Sequence, residues 1–522
     1  MRTTFGKRSA AISAAAVAAA LMLTACGGQS TATSPATSGG STAAATGGSV
    51  TIALQGDITT YDPWTSQSGL NGSLFALGGL YDSLLNLDAN GQPVANVATK
   101  WETTDSSHYT LTLRNDVKFT DGTTLNAAAV VKNVQYAQVA KTPGECNSYL
   151  AGATATAKDD TTVEFALKTP SVGFLTDLGS CASFIVNPAA LAKGESLKTT
   201  PAGSGPYLLD ASTVAGQKYV LKRNPSYWNA AAYPFDTVNL VYFKDATAAA
   251  NAAKSGQVDL IQSVDASNDT SGLKVMLTST DFRGLMFQDL SGKISKPLAD
   301  VRVRQAMQYA IDRDAIKSAI YPDSGELGYS TPFTSKSTGF TDALTTTYPY
   351  DQAKAKQLLA DAGYPNGFTV KVMEVPSIYG DAAQAIAGQL AEVGIKLELS
   401  DQSADFFPQL KSGKWPMITF NWTIGTNPVH TYEGLTSKTG FWNTFGNTSP
   451  KIEGLLSQLA QAKDDAARQP ILENIAKAFQ DESWYLVPVL VSGATAYNDQ
   501  KLSVSHTQGS PIPFLYQIKK VG

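Results

Sequence analysis

Cysteine and histidine are scarce in this chain of 522 residues, which has three of each. They are Cys26, Cys146, Cys181, His108, His430 and His506. No two of them stand at a zinc-ligand spacing such as C-x2-C or H-x3-H, although ligands can also converge from distant positions. The sequence therefore gives no support for a structural metal site, and we expect no cofactor.

An excess of positive charge is also missing. The 40 Lys and Arg residues stand against 44 Asp and Glu residues, for a formal net charge of -4. Proteins that bind nucleic acid use a basic excess to displace the counterions of the phosphate backbone. DNA and RNA are therefore not expected partners. The chain is nevertheless long enough, with 43% hydrophobic residues, to form two or more domains.

Long apolar runs are absent except near the N-terminus. Arg2, Lys7 and Arg8 precede an alanine-rich apolar run over residues 10–23, and the order is that of a secretory signal. The alternative is a transmembrane helix, but the run is shorter than the roughly 20 apolar residues that span a bilayer. We predict a signal peptide over residues 1–25.

The end of this signal, Leu23-Thr24-Ala25-Cys26, resembles a lipobox, the motif after which bacterial lipoproteins are cut. The resemblance implies that Cys26 carries lipid and anchors the chain in a bilayer. Residues 26–48 are uncharged and have no large apolar side chain, so we expect a flexible tether. The predicted location is extracytoplasmic, on the outer face of the cytoplasmic membrane.

Cys146 and Cys181 remain once Cys26 is assigned to lipid. In an oxidising compartment they are predicted to form a disulfide. Two separately buried thiols are the alternative.

The hydrophobic periodicity predicts a mixed α/β body. Alternating apolar residues predict a strand over residues 109–113, and apolar residues at helical spacing predict a helix over residues 126–139. Later in the chain a strand over 368–372, a helix over 381–393 and a strand over 395–399 form a βαβ unit. We find no internal repeat beyond the tether, so the fold class is α/β with two lobes.

One enzymatic pattern is present. Ser271-Gly272-Leu273-Lys274 matches S-x-x-K and Lys438-Thr439-Gly440 matches K-T-G, two motifs of penicillin-interacting serine hydrolases. That chemistry needs Ser271 at the start of a helix with Lys274 one turn later, whereas the surrounding β-branched residues favour a strand. The hydrolase is kept as an alternative, and the chain is predicted not to be an enzyme.

A series of motifs resembles the family 5 solute-binding proteins of ABC importers, which include oligopeptide-, dipeptide- and nickel-binding proteins. The motifs occur in the family's order from about residue 50 to the end. They are YDSLL (81–85), VATKWE (97–102), HYTLTLRNDVKFTDGTTLNAAAVV (108–131), GSGPYLLD (203–210), LKRNPSYWN (221–229), SGQVDLI (255–261), DVRVRQAMQYAIDRDAI (300–316), AKQLLADAGYP (355–365) and AEVGIKLEL (391–399).

The resemblance implies a periplasmic-binding-protein-like (venus flytrap) fold whose two α/β lobes close around a ligand, with a further domain inserted in the first lobe. Lobe I is expected to comprise residues 49–85, 200–287 and 493–522, the inserted subdomain residues 86–199, and lobe II residues 288–492. The two crossover strands are expected near residues 284–290 and 487–496.

The same resemblance implies two ligand-binding segments. One is the loop after Asp62-Pro63, and the other follows Trp422, where the peptide binders carry an Asp three residues after the Trp that pairs with the peptide's ammonium group. Gly425 occupies that position here, which leaves the ligand open between peptide, oligosaccharide, amine and chelate. The predicted ligand-binding residues are Trp64, Ser66, Gln67, Gly69, Trp422, Thr423, Gly425 and Asn427.

The expected function is therefore capture of a small organic solute and its delivery to an ABC permease in the cytoplasmic membrane by a lipid-anchored monomer. Besides the hydrolase, a signalling receptor with the same fold is an alternative.

Overall fold

The computed structural model describes most of the chain. The described residues are 47–66, 73–103, 105–140, 145–150, 152–168, 170–264, 269–322, 325–331, 333–335, 337–423, 435, 438, 440–462, 465–508, 510 and 512–521. The predicted signal peptide, the lipid-anchor residue Cys26 and nearly all of the tether lie outside them.

Strands and helices alternate along the described residues. The strands are β1 (Ser49–Leu54), β2 (Leu85–Leu87), β3 (Pro93–Ala95), β4 (Ala98–Thr103), β5 (His108–Leu113), β6 (Ala153–Ala157), β7 (Thr162–Leu167), β8 (Tyr207–Leu209), β9 (Lys218–Arg223), β10 (Thr237–Tyr242), β11 (Leu260–Val264), β12 (Lys274–Phe287), β13 (Gly325–Leu327), β14 (Phe368–Glu374), β15 (Ile395–Asp401), β16 (Met417–Thr423), β17 (Tyr485–Tyr497), β18 (Leu502–Val504) and β19 (Ile518–Lys520).

The α-helices are α1 (Leu74–Leu80), α2 (Ala127–Gln138), α3 (Glu145–Ser148), α4 (Phe174–Ser180), α5 (Pro188–Leu191), α6 (Ala246–Lys254), α7 (Val301–Tyr309), α8 (Arg313–Ile320), α9 (Gln352–Asp361), α10 (Pro376–Ala391), α11 (Phe406–Lys411), α12 (Pro450–Gln461) and α13 (Asp465–Glu482). Short 3-10 helices cover Gly194–Lys198, Ala230–Ala232, Lys296–Ala299, Asp342–Thr345, Ser403–Asp405 and Leu515–Gln517.

A single large sheet organises the molecule. Among the described residues it has 11 strands in the order β15-β14-β16-β12-β17-β11-β1-β10-β9-β8, with β13 paired to β17. The two long strands β12 and β17 pair with each other antiparallel from Lys274–Tyr497 to Met286–Tyr485. Strands from the first half of the chain lie on one side of this pair, and strands from the second half lie on the other.

The local predictions with strong periodicity are confirmed. The strand predicted over residues 109–113 is β5, and the helix predicted over 126–139 is α2. Asn126 caps α2, because its side-chain Oδ1 accepts a hydrogen bond from the Ala129 amide at 3.1 Å.

The predicted βαβ unit is also confirmed, since β14 and β15 pair in parallel and α10 connects them. The helix begins at Pro376, five residues before the predicted start at Asp381. Proline is well suited to the first turn of a helix, where its missing N–H costs no hydrogen bond.

A separate sheet lies in the region predicted to be an inserted domain. Its described strands have the order β4-β5-β7-β6, and all their pairings are antiparallel. Helix α2 packs on β6 and β7. Close to this sheet Cys146 and Cys181 form the predicted disulfide, with their α-carbons 5.6 Å apart.

The hydrophobic core has several parts. The largest part includes β1, β10, α1 and the four-stranded sheet, whereas two further clusters cover opposite faces of the strands β12, β14 and β16. The predicted boundaries of lobe I, the inserted subdomain and lobe II stay a prediction. The long strands β12 and β17 overlap the segments predicted as crossovers.

Candidate functional site

The carboxyl ends of two groups of parallel strands point toward one another. In the first group β1 is parallel to both β10 and β11, and in the second group β14 is parallel to both β15 and β16. Strand β11 pairs with the Ala494–Tyr497 end of β17, and β16 pairs with the Asp281–Phe287 part of β12.

These registers locate the junction between the two groups. Val264, the last residue of β11, pairs with Ala494, and Ala494 pairs with Leu277 of β12. Thr423, the last residue of β16, pairs with Asp281 of β12. The carboxyl ends of β11 and β16 are thus separated only by the short stretch of β12 between Leu277 and Asp281. Strands β14 and β15 end farther back, level with Thr419 of β16 and Leu285 of β12. Ligands of α/β proteins bind at the carboxyl ends of strands, so this junction is the candidate site.

On the side of the first group, the loop after β1 carries four of the predicted ligand-binding residues, of which the structure describes Trp64 and Ser66. Trp64 is almost completely buried, and its indole Nε1 donates a hydrogen bond to Asn133 Oδ1 at 3.1 Å. The buried Asp62 carboxylate accepts hydrogen bonds from the Trp64 amide and from the Tyr136 hydroxyl, both at 3.0 Å. Burial raises the pKa of Asp62. These contacts make Trp64 an anchor of the loop.

Ser66 is also buried, whereas Gln67 and Gly69 lie outside the described residues. A ligand-binding role for the four residues of this loop stays a prediction.

On the side of the second group, Trp422 and Thr423 end β16. Six aromatic side chains pack together here, and we call them the aromatic cluster: Phe406, Phe407, Phe420, Trp422, Phe441 and Trp442. The ring centroids of Trp422 and Trp442 are 6.2 Å apart, with the planes at 83°. Lys411 lies with its Nζ 3.7 Å from the ring centroid of Phe441, and burial lowers the pKa of Lys411 to about 8.

Two donors of the aromatic cluster have no partner among the described residues. The indole Nε1 atoms of Trp422 and Trp442 are buried, and neither donates a hydrogen bond to a residue that the structure describes. An unsatisfied buried N–H costs about 1–3 kcal/mol, so a bound molecule that accepts from it gains affinity. Trp442 was not among the predicted residues. Gly425 and Asn427, which were, lie outside the described residues, and the assignment of this segment stays a prediction.

Two acids also stand at this edge and were missed at the sequence level. Glu374 ends β14 and Asp401 ends β15, and the two residues pair with each other in register. The sequence does place an acidic residue at the end of an apolar strand, which could have indicated a site residue. It does not show that Glu374 is buried, and the burial is known only from the structure.

Several family-like motifs meet at a different place, around Asp82. Its carboxylate accepts hydrogen bonds from Ser204 Oγ at 2.9 Å and the Tyr227 hydroxyl at 2.8 Å, with Trp228 Nε1 at 3.4 Å. The Arg114 guanidinium carbon lies 3.5 Å from the centroid of the Trp228 ring. Complete burial raises the pKa of Asp82 to about 6, because it outweighs the hydrogen bonds to the carboxylate, which lower the pKa. These motif residues therefore form a polar core inside the first group of strands.

A cavity beside Asp82 is too small for an organic solute. Its volume is about 30 Å³, and its polar lining includes Ser83, Asn86 and Asn96, which suits ordered water rather than an organic solute.

The serine-hydrolase alternative lacks its required geometry. Ser271 lies in a turn where its amide donates to Asp269 Oδ1 at 3.0 Å, and Lys274 begins strand β12. The Nζ atom of Lys274 is 6.0 Å from the centroid of the Tyr497 ring. No helix joins Ser271 to Lys274, so the lysine is not one helical turn from the serine.

The part of the chain that the structure describes contains no group of three or more His, Cys, Asp or Glu side chains that could hold a metal ion. None of its helices combines the length and the apolar character that crossing a membrane requires.

Comparison with known proteins gives a consistent result. The family model of the bacterial extracellular solute-binding proteins, family 5, matches residues 92–443. The glutathione-binding protein GsiB of Escherichia coli K12 is 26% identical over 481 residues, which are 87% of this chain and 91% of that protein. GsiB of Pectobacterium atrosepticum is 27% identical over 463 residues, which are 84% of this chain and 87% of that protein.

Solved structures share the fold. AgaA of A. tumefaciens R10 in complex with agropinic acid matches with a TM-score of 0.80 and 25% identity, over 91% of this chain and 99% of that one. DppA of Helicobacter pylori in complex with the peptide STSA matches with a TM-score of 0.78 and 21% identity, over 91% of this chain and 98% of that one. The two-lobed α/β fold expected from the sequence is thereby confirmed.

Proposed function

Because this chain belongs to family 5 of the bacterial extracellular solute-binding proteins, we propose that it captures an amino-acid-derived solute, such as a short peptide, between its two lobes. The chain is a solute-binding protein of an ABC importer, and the solute is delivered to the permease of that importer. The observation that carries the proposal is the junction at which the carboxyl ends of β1, β10 and β11 point toward those of β14, β15 and β16.

The class of solute is supported by the relatives. GsiB is a glutathione-binding protein, AgaA was solved with agropinic acid and DppA with a peptide. At the junction the aromatic cluster offers two unpartnered indole donors, and hydrogen-bond donors of this kind suit carbonyl and carboxylate oxygens. An oligosaccharide, which is rich in hydroxyl oxygens, is the competing solute.

The proposed mechanism is closure of lobe I (residues 49–85, 200–287 and 493–522) on lobe II (residues 288–492) about β12 and β17. Residues 86–199 form the inserted subdomain of lobe I. A solute that contacts both lobes stabilises the closed arrangement, because it binds that arrangement more tightly than the open one. The predicted ligand-binding residues of the Trp64 loop and the Trp422 segment are proposed to contribute from opposite lobes.

The remaining parts of the proposal concern the anchor and the chemistry. A lipid on Cys26 would hold a monomer at the outer face of the cytoplasmic membrane. The chain is proposed to catalyse no reaction, because its relatives are binding proteins and Lys274 lies in a strand.

Solute binding is tested by thermal unfolding of the full-length, detergent-solubilised protein after bound solute has been removed. The panel contains glutathione, dialanine, tetra-alanine and maltotriose. A solute at 100 times its Kd is expected to raise the free energy of unfolding by about 2.7 kcal/mol. Deletion of the protein from its host should also abolish uptake of that solute.

Two outcomes would contradict the proposal. A shift produced only by maltotriose would replace the amino-acid-derived solute with an oligosaccharide. Unchanged solute uptake after deletion would instead favour a signalling receptor that uses the same fold.

A further inference from the structure

Glu374 is a buried acid with one unsatisfied carboxylate oxygen. Its side chain is only 4% exposed, and its Oε1 atom has no hydrogen-bond partner among the described residues. None of the described residues forms an ion pair with this carboxylate. A buried carboxylate oxygen without a partner is costly, so its retention calls for an explanation outside the folded chain.

The surroundings of Glu374 add negative charge. Asp401 is its register partner on β15, and the α-carbons of paired residues on adjacent strands lie about 4.8 Å apart. Asp401 accepts hydrogen bonds from the Ser403 amide at 2.9 Å and from the Ser403 hydroxyl at 2.5 Å. Like charges placed side by side on a sheet destabilise it. Burial first, and Asp401 second, raise the pKa of Glu374.

The position of this pair connects it to the junction. Glu374 and Asp401 are the last residues of β14 and β15, so both stand at the carboxyl ends that point toward the first group of strands. The nearest cationic residue on the same strand is Lys371, which is three residues from Glu374 and therefore lies on the opposite face of the sheet. Arg283 of β12 lies beyond β16, with its guanidinium carbon 5.6 Å from the centroid of the Tyr321 ring. Among the described residues, no cationic side chain forms an ion pair with Glu374.

We propose that Glu374 is the residue that binds a positively charged nitrogen of the solute, with Asp401 as the neighbouring acid. The inference rests on the proposed function, and it assigns an ammonium or similar organic cation to the end of the solute held by lobe II. A charge-assisted hydrogen bond to the carboxylate would satisfy Oε1 and neutralise the pair. A divalent metal ion does not fit, since the described residues contain no cluster of three or more ligating side chains.

The test compares Glu374→Gln with a matched control, Glu398→Gln. Glu398 lies on β15 like Asp401, but its side chain is exposed. Isothermal titration calorimetry on the full-length protein in detergent would use glutathione, dialanine and tetra-alanine, each as the free amine and as the N-acetylated form, with maltotriose as an uncharged probe.

We expect the wild-type chain to bind at least one free amine and to bind its acetylated form about 10–100-fold more weakly. Glu374→Gln should weaken binding of the free amine by a similar factor and should change binding of the acetylated form less than about threefold. Glu398→Gln should leave both affinities within about twofold.

A second readout separates a ligand-binding role from a structural one. Without solute, Glu374→Gln should melt at the same temperature as the wild-type chain or higher, because it removes a buried charge without breaking a contact. A lower melting temperature would assign Glu374 to the fold and overturn the inference.

The remaining outcomes are distinct. Equal binding of a free amine by the wild-type chain and by Glu374→Gln would overturn the inference while the proposed function stands. Binding of maltotriose alone, or of none of the probes, would contradict the proposed solute class and with it this inference.

Discussion

At the scale of single residues, the polar core around Asp82 shows what the sequence reveals and what it does not. The motifs that contain Asp82, Ser204 and Tyr227 are evident in the sequence, but Asp82 lies more than 100 residues before the other two. Their meeting point depends on the complete fold. Glu374 was missed for the same reason, since a glutamate at the end of a strand reads as an exposed residue until its burial is known.

Asp82 makes the stability of the protein depend on pH. In the folded chain its pKa is about 6, against an ordinary value of 3.8. Between pH 3.8 and about pH 6, the Asp82 carboxyl is therefore protonated in the folded state and ionised in the unfolded state. The stabilisation from this group is complete below pH 3.8 and is lost as the pH rises through about 6, by about 3 kcal/mol in total.

Asp82→Asn should remove this loss. Urea unfolding between pH 4 and pH 7 would compare the variant with the wild-type chain and with Glu398→Gln, which changes an exposed acid. The stability of Asp82→Asn relative to the wild-type chain should increase by about 2 kcal/mol across this range, because part of the total change already occurs below pH 4. If the free energies of unfolding of the wild-type chain and of Asp82→Asn change with pH in parallel, the pKa of Asp82 is the same in the folded and unfolded chains. That result would contradict the prediction.

At the scale of secondary-structure elements, local periodicity predicted β5, α2 and the βαβ unit because each has its apolar pattern within one continuous segment. The pairing of β12 with β17 could not be predicted in this way, since its partners lie about 200 residues apart. The resemblance to a family indicated only the approximate position of these strands. Likewise, the early start of α10 was hidden by Gly380 and Asp381, which look like a helix start.

Gly284 of β12 has no space for a side chain. A β-carbon at this position would lie 2.1 Å from the Leu486 carbonyl oxygen of β17, next to an irregularity in the register of the two strands. The main chains of β12 and β17 can approach so closely only because glycine has no side chain.

Gly284→Ala should therefore lower the free energy of unfolding by about 1–3 kcal/mol. The control is Gly388→Ala in the interior of α10, where a β-carbon meets nothing within 4 Å. That substitution should raise stability by about 0.5–1 kcal/mol, because alanine favours the helix. Urea unfolding measures both. Equal effects of the two substitutions would mean that β12 can shift to accept a side chain.

At the scale of the whole molecule, the disulfide contributes away from the junction. Cys146 and Cys181 close a loop of 35 residues near the four-stranded sheet, whereas the candidate site lies at the ends of β11, β14 and β16. In the chain-entropy model a loop of this length stabilises the folded state by about 4 kcal/mol.

The double variant Cys146→Ala, Cys181→Ala should lose about this much stability and should melt at a lower temperature than the wild-type chain. Its affinity for solute should change less than about twofold where the fold is intact, since the bridge links the segments of α3 and α4, which are not among the strand ends that form the junction. The same measurement on the wild-type chain with a reductant is the control. A large loss of affinity in the folded variant would show that this region is coupled to solute binding.

The path of the chain through the large sheet also has a consequence for protein synthesis. Strand β11 gains its antiparallel neighbour β17 only near the end of the chain. At a synthesis rate of about 5–20 residues per second, roughly 230 residues follow β11 before its partner emerges, a delay of about 10–50 seconds. During that time the edge of β11 has no native neighbour, which is an opportunity for mispairing. We therefore expect this edge to be the place at which a chain that folds during synthesis is most open to mispairing.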